Sequence, residues 1–341
     1  MTRMCAKSNC RIPTQPLDAS GDRLDRECPC RRPGAAARTA ADAHPLQTAR
    51  PMQFLDRLGD LSGSYDALFC DIWGCVHDGV RAFPEAVAAL RDWRARGGRV
   101  VLVTNSPRPL ASVARQLARF GVPADAWDTI ATSGDAAQDA LASGVVGRRV
   151  WHLGPLAEAS FFTRSAPDIA PLDHIARVPL AEAEGIVATG LMSDDDTPEN
   201  WRATLAEAAA RGLPMLCANP DLVVDRGTRR VFCAGALAAL YTDLGGRSLY
   251  FGKPHAPIYA LAHRRLAAVA GAEVAPARIL AIGDGVATDL PGAERAGLDA
   301  LFVAGGLAAH DLGPAIADPA SLAAWLTRHA AHPRFAMAWL R

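Results

Sequence analysis

The chain has 341 residues, half of them hydrophobic, and 36 basic residues balance 36 acidic ones. That length suits about two domains, and a formal charge of zero leaves no electrostatic footprint for nucleic acid or an anionic membrane. No apolar run approaches the roughly 20 residues of a membrane-spanning helix, and eight scattered cysteines without a secretion signal do not read as a disulfide framework.

Residues 1–51 mix Pro, Arg, Ala and single polar residues with no period of 3.6 or 2.0. They carry nine basic against five acidic residues and no apolar core. The expectation is a disordered leader, or a start of translation at Met52. Cys5, Cys10, Cys28 and Cys30 lack zinc-knuckle spacing, and no suitably spaced His follows. A signal peptide would need a continuous apolar segment, and a transit peptide would be poor in acidic residues, so a cytoplasmic protein is expected.

From Gln53 the chain becomes regular. The run Ala67-Leu68-Phe69-Cys70 ends on Asp71, and Ile72-Trp73-Gly74 turns at once. A buried parallel strand delivers a side chain to the carboxyl edge of a sheet in this way. An isolated buried carboxylate is costly, so Asp71 needs a cation, a metal or backbone N–H groups. The plainer alternative is an Asp that caps the next turn. Pro84 then opens an amphipathic helix to about residue 96, with Val87, Leu90 and Trp93 on one face, and Gly97-Gly98 stops it. A second strand, 99–103, ends in Thr104-Asn105-Ser106; a helix at 109–120 and a short strand at 129–132 follow. This alternation implies a doubly wound parallel sheet.

The alternation continues with altered character: strands at 150–153, 185–189 and 214–217, and a helix at 197–210 with Thr197 as N-cap and Pro198 at its first position. Asp194, Asp195 and Asp196 complement that helix's dipole more naturally than they form a metal cluster. An α/β unit over 136–248 is thus inserted between the halves of a core domain, 52–135 and 249–341. The core resumes with Leu249-Tyr250-Phe251 and Gly252-Lys253-Pro254, a helix at 257–270, and a strand at 278–282 ending in Gly283-Asp284-Gly285. A strand at 299–303 and a tail that is helical from about 315 and then irregular complete the chain. Trp127 and Trp151 read as packing. His255 and Asp221 fit either the mouth of a site or a turn.

Three strand ends carry residues that suit one reaction. Asp71 can act as nucleophile or ligand, and Asp284 and Asp289 add the hard oxygens that Mg²⁺ prefers. Thr104 and Asn105 can donate to a phosphoryl oxygen, and Lys253 can neutralise both Asp71 and a transferring phosphoryl group. The chemistry this fits is phosphoryl transfer to an aspartate followed by hydrolysis of the acyl phosphate.

These four stretches resemble the four motifs of the haloacid dehalogenase superfamily. Their order, with an α/β cap between the second and third, is similar to its class IIA branch of NagD-like and nitrophenylphosphatase-like enzymes. Asn219-Pro220-Asp221 resembles that branch's cap motif, and Gly252-Lys253-Pro254 with Ile258-Tyr259 its third motif; the similarity covers about residues 53–310. The resemblance implies a Rossmann-like α/β core with an inserted cap, and a Mg²⁺-dependent phosphatase of a small phosphorylated metabolite. By it, Asp71 is the nucleophile and a Mg²⁺ ligand, Thr104 and Asn105 bind phosphate, and Lys253 fixes both. Asp284 binds the metal, Asp289 binds or orients it, and Asn219 and Asp221 face substrate. Cap-mediated homodimers are the assembly the resemblance leaves open.

One departure matters. The family's phosphatases place a second Asp two residues after the nucleophile, where it protonates the leaving oxygen and later activates water. Here that position is Trp73. The metal is less affected, since the family uses that residue's backbone carbonyl as a ligand. Losing the acid/base costs about 10²–10⁴-fold. Either His77 or Asp78 substitutes, or only good leaving groups are cleaved, or phosphorylated ligand is bound without turnover. The superfamily's dehalogenases also carry an aromatic residue there, but they do not use Mg²⁺.

Overall fold

Alternation along three short strands explains how the core sheet is covered. Phe69, Val101, Val103 and Ala281 face one apolar cluster, while Leu68, Cys70, Val100, Leu102, Leu280 and Ile282 face another. A sheet buried on both faces needs such near-continuous apolar strands. The computed structural model describes residues 52–164, 166–226 and 229–341; the expectations for residues 1–51 fall outside them.

In chain order the core begins with β1 (Gln53–Phe54), β2 (Ala67–Cys70), α1 (Pro84–Ala95), β3 (Arg99–Thr104), α2 (Leu110–Phe120), β4 (Thr129–Thr132) and α3 (Ser133–Ala142). The inserted unit holds β5 (Arg149–Leu153), β6 (Ala176–Arg177), β7 (Gly185–Ala188), α4 (Arg202–Ala210), β8 (Pro214–Cys217), β9 (Val223–Arg226), β10 (Arg229–Phe232), α5 (Ala234–Asp243) and β11 (Arg247–Tyr250). The core resumes with α6 (Ala256–Ala270), β12 (Ile279–Gly283), α7 (Asp289–Arg295), β13 (Asp299–Val303), α8 (Ala309–Leu312), α9 (Pro319–Arg328) and β14 (Phe335–Met337).

Among the described residues the core strands form one parallel sheet in the order β1-β14-β13-β12-β2-β3-β4. From β2 the chain winds outward through β3 and β4; from β12 it winds the other way. The switch point therefore lies between β2 and β12, where Ile282 pairs with Cys70. Ligands bind outside such a crevice, at the carboxyl ends of the strands.

The cap is a second parallel sheet, β11-β8-β7-β5-β6, with β9 and β10 as an antiparallel hairpin after β8. Its strands alternate as well. Ile186, Ala188, Met215 and Cys217 pack on α4 and α5, while Val150, Val187 and Leu216 join the cluster that also holds Phe69 and α6. One continuous apolar body thus reaches from core sheet to cap sheet. The doubly wound core with an α/β cap is the fold expected.

Several elements differ in detail. The strand at 249–251 is Arg247–Tyr250, and it extends the cap sheet. The tail, expected to be irregular after its helix, ends in β14, which lies between β1 and β13. Three residues are too few to show a period, and β14 is apolar because both faces are covered, Phe335 and Met337 in one apolar cluster and Ala336 in another. The helix after Thr197 opens with a 3-10 turn, Pro198–Trp201, and Thr197 makes no side-chain cap bond. Asp196 instead braces the helix start from outside, accepting from Thr197 N (2.9 Å), Asn200 Nδ2 (2.8 Å) and Trp201 Nε1 (2.8 Å), while Asp195 pairs with Arg229. Among the described residues no helix is long and apolar enough to cross a membrane.

Candidate active site

The switch point gathers the charged residues. Asp71 follows β2 and is 7% exposed; its N–H donates to Ile282 O at 2.8 Å. Lys253, 3% exposed, arrives from the loop after β11 and sets Nζ 2.6 Å from Asp71 Oδ1 and 2.8 Å from Asp289 Oδ1. Asp289 opens α7, and its Oδ2 accepts from Gly285 N at 3.2 Å. Asp284 follows β12, and its Oδ2 accepts from Leu307 N at 2.9 Å.

Glycines make this crowding possible. A Cβ on Gly74 would lie 2.2 Å from Asp284 Oδ2, one on Gly306 1.9 Å from the same atom, and one on Gly283 2.2 Å from Asp289 Cγ. Gly74 also has φ of +79°, a conformation that disfavours other residues.

Burial pushes the Asp71 carboxyl well up, with the charges of Asp289 and Asp284 adding to it and Lys253 opposing. Burial, then Asp289, pushes Asp284 to about 7. Desolvation alone would lower Lys253, but Asp289 and Asp71 outweigh it and hold the ammonium well above its usual value. Three carboxylates thus face one ammonium, a formal excess of two negative charges that a divalent cation balances. Oxygen atoms of Asp71 and Asp284 and the Sγ of Cys75 all lie within 4.8 Å of one another. Hard carboxylate donors at that spacing fit Mg²⁺. Asp289 stands outside this group, turned to Lys253 and Gly285.

The Asn105 side chain is held on three sides. Its Nδ2 donates to Asp221 Oδ1 (2.8 Å) and Lys253 O (3.1 Å), and its Oδ1 accepts from Lys253 N (2.6 Å). Both amide hydrogens are spent, so the side chain ties the end of β3 to the cap loop and to the lysine loop. Asn219 Oδ1 accepts from Asp221 N (3.0 Å) and shapes that cap loop. Burial raises Asp221 despite its bond to Asn105. Gly252 is enclosed here, since a Cβ would lie 2.4 Å from Asn105 Oδ1 and 2.7 Å from Ser133 Oγ. Thr104 Oγ1 accepts from Ser106 N at 3.2 Å, which leaves its hydroxyl hydrogen to donate.

In the loop after Asp71, His77 and Asp78 are both engaged within the turn. His77 is 3% exposed and sits edge-on between Trp73 (5.1 Å) and Phe120 (4.9 Å). Its Nδ1 accepts from Gly79 N at 2.9 Å, and burial lowers its pKa to about 4, so the ring is neutral near pH 7. Asp78 Oδ1 accepts from Val80 N and Arg81 N; these bonds outweigh its slight burial and hold it below its usual value. Trp73 packs over Gly79, where a Cβ would lie 2.3 Å from Trp73 Cζ2. His255 stacks on Tyr250 at 5.0 Å.

A buried ion network nearby was not legible in the sequence. Arg265 on α6, 5% exposed, reaches Asp135 Oδ2 (2.6 Å), Ile130 O (2.5 Å) and Asp168 Oδ2 (2.9 Å). It fastens α6 to α3, the helix that leads into the cap, and to the cap loop that holds Asp168. Arg108, three residues after Asn105, pairs with Glu158 of the cap at 2.7 Å. A single Arg on a helix gives no sign of a partner some 130 residues away.

A haloacid dehalogenase-like hydrolase model matches residues 68–164, and a HAD-hydrolase-like model matches 250–327. A search of curated proteins gives no match. Among solved structures, a haloacid dehalogenase-like family hydrolase from Brucella suis 1330 is 42% identical, over 84% of this chain and 100% of that one, with a TM-score of 0.73. The p-nitrophenyl phosphatase from Archaeoglobus fulgidus is 20% identical, over 81% and 97% of the two chains, with a TM-score of 0.63; that likeness is one of fold. A glycerol phosphate phosphatase from Mycobacterium tuberculosis, in complex with magnesium, is 27% identical over 71% and 69%, with a TM-score of 0.55. The 42% identity across the whole Brucella protein, together with the two family models on either side of the cap, shows that the chain belongs to the haloacid dehalogenase-like hydrolases, with a cap of the class IIA kind.

Proposed function

We propose that this chain is a divalent-cation-dependent phosphomonoesterase that works through an aspartyl phosphate on Asp71, and that it lacks a carboxylic general acid. The observation that carries the reading is Asp71 at the switch point, gripped by Lys253 at 2.6 Å. The names of the similar proteins, a p-nitrophenyl phosphatase and a glycerol phosphate phosphatase, support the substrate class of small phosphate monoesters.

Asp71 attacks phosphorus in line; the P–O bond to the leaving group breaks and an acyl phosphate forms. Lys253 fixes the rotation of the attacking carboxylate and offsets negative charge as the phosphoryl group arrives. Asp289 holds Lys253 from its far side. Thr104 Oγ1 donates to a phosphoryl oxygen, and Asn105 positions the loop on which Lys253 sits. Asp71, Asp284 and the Trp73 carbonyl would hold the cation, with Asp289 beside them, and a bound ion would supply positive charge next to the phosphoryl oxygens. Water then attacks the phosphorus of the acyl phosphate and restores Asp71. Asn219 and Asp221 stand at the cap side of the mouth.

Trp73 shapes the chemistry. An indole donates no proton to an alkoxide, and His77 and Asp78 are committed to their own turn. The enzyme therefore favours esters whose leaving groups depart unprotonated, aryl and acyl phosphates above sugar phosphates. The same observation gives a second reading, a protein that binds phosphorylated ligand with little turnover.

The test is phosphate release from p-nitrophenyl phosphate by wild type and Asp71→Asn, each stripped by chelator and then supplied with Mg²⁺. Turnover that needs both Asp71 and Mg²⁺ supports the proposal. Phosphate release by a folded Asp71→Asn protein, or in excess chelator, overturns it. Binding without release selects the second reading.

A further inference from the structure

Cys75 stands in the turn after β2, the fifth residue counted from Asp71. It is 1% exposed and not in a disulfide. The turn that holds it is fixed by backbone hydrogen bonds: Val76 N donates to Ile72 O at 2.8 Å, Gly74 N to His77 O at 2.9 Å, and Phe83 N to Val76 O at 2.8 Å. Cys70, its neighbour in the same stretch, turns its Sγ to Asp71 O at 3.1 Å. Cys75 Sγ takes no hydrogen bond among the described residues and instead lies within 4.8 Å of a carboxylate oxygen of both Asp71 and Asp284.

That spacing suits one ion. Ligand atoms about 2.0–2.3 Å from a common metal lie roughly 3–4.5 Å apart, so atoms gathered within 4.8 Å of one another can converge on one ion. The donors are two hard oxygens and one soft sulfur. Mg²⁺ takes oxygen and has no use for sulfur, whereas Zn²⁺, Cd²⁺ and Co²⁺ gain a metal–sulfur bond, about 2.3 Å for zinc.

We propose that Cys75 makes this centre a mixed oxygen–sulfur site, at which a thiophilic divalent ion bound by Asp71, Asp284 and Cys75 displaces Mg²⁺. The proposal rests on the reading of Asp71 and Asp284 as cation ligands. When such an ion enters, the S–H bond is exchanged for a metal–sulfur bond and the proton leaves to solvent. The two kinds of ion then have different fates in one site. Mg²⁺ stays exchangeable, and thiophilic ions stay bound.

The experiment uses the full chain stripped of metal. Co²⁺ is titrated in, the near-ultraviolet thiolate-to-cobalt charge-transfer band is followed, and Zn²⁺ and Mg²⁺ affinities are measured by calorimetry. Wild type, Cys75→Val and Asp284→Asn are compared, each checked for folding by circular dichroism. The expected result is a band in wild type that is lost in both variants, Zn²⁺ binding weakened about tenfold or more in Cys75→Val, and Mg²⁺ binding there within about threefold of wild type. A band that survives in Cys75→Val belongs to other thiols and overturns the proposal, as does unchanged Zn²⁺ affinity. If Cys75→Val does not fold, the band in wild type and its loss in Asp284→Asn decide. Mg²⁺ binding that ignores Asp284→Asn would sink the underlying metal reading; Mg²⁺ binding that needs Asp284, with no band in wild type, would sink only the role of Cys75.

Discussion

Replacing Trp73 by Asp puts a carboxyl where the indole stands, two residues after Asp71. A general acid is worth about 10²–10⁴-fold, or roughly 3–5 kcal/mol of barrier at 1.36 kcal/mol per tenfold. That gain applies where the leaving oxygen is a basic alkoxide and largely vanishes for a phenolate. The introduced carboxyl enters a largely buried neighbourhood, and desolvation favours its protonated form, as an acid requires. The structural cost is the indole's contact with Gly79 and His77. A fully buried Trp→Ala costs 3–5 kcal/mol, and Trp73 is only half-buried, so about 2 kcal/mol is expected. The assay is kcat/KM on p-nitrophenyl phosphate and on glycerol phosphate, for wild type and Trp73→Asp, with thermal melts alongside. Wild type should prefer the aryl ester steeply. Trp73→Asp should raise the alkyl ester by about 10²-fold and the aryl ester by less than about threefold. A wild type that cleaves both equally, or a folded variant with no selective gain on the alkyl ester, refutes the reasoning.

Two further outcomes test the surroundings. Arg265→Met leaves Asp135 buried without its cation and should cost about 3–5 kcal/mol in urea melts, while adding Asp135→Leu should recover most of that; a single variant as stable as wild type would show that the network carries no weight. His77 has a folded pKa of about 4, below its unfolded value of 6.5, so the unfolded chain binds more protons between them. Its contribution is present above about pH 6.5 and lost as pH falls towards 4, at most about 3 kcal/mol. His77→Gln should therefore flatten the stability difference between pH 7.5 and 4.5, and an unchanged slope would contradict a neutral buried imidazole.

The strand ends were legible because their chemistry is local. An apolar run that stops on Asp71 or on Gly283-Asp284 announces both a buried strand and a charged edge, and Lys253 stands beside a turn. The fold class followed from the alternation of strands and helices. What stayed hidden depends on partners distant in sequence. Asn105 looks like a phosphate donor in its own motif, but its side chain is spent on Asp221 and Lys253, 116 and 148 residues away. Nothing in the sequence around Cys75 shows that Asp284, some two hundred residues on, is brought beside it. Nothing near His77 in the sequence announces its burial, because Phe120, which covers it, lies at the far end of α2. The hairpin of β9 and β10 and the last strand are short segments whose pairing, not their pattern, makes them strands.

The order of strands in the core sheet has a consequence for how the chain comes to be active. Asp71 is synthesised early, on β2, but its neighbour across the switch point is β12, about two hundred residues later. The cap sheet lies within one continuous stretch, β5 to β11, so it is complete while β12, β13 and β14 of the core are still to come. The far edge of the core waits longest, because β14 must slot between β1 and β13, joining the two ends of the described chain. Contacts of such long range are slow to form, since the loops they close are costly until the contacts repay them. During synthesis, Asp71 therefore spends most of the time with neither Lys253 nor Asp284 at hand, and it acquires its surroundings only when most of the chain has been made.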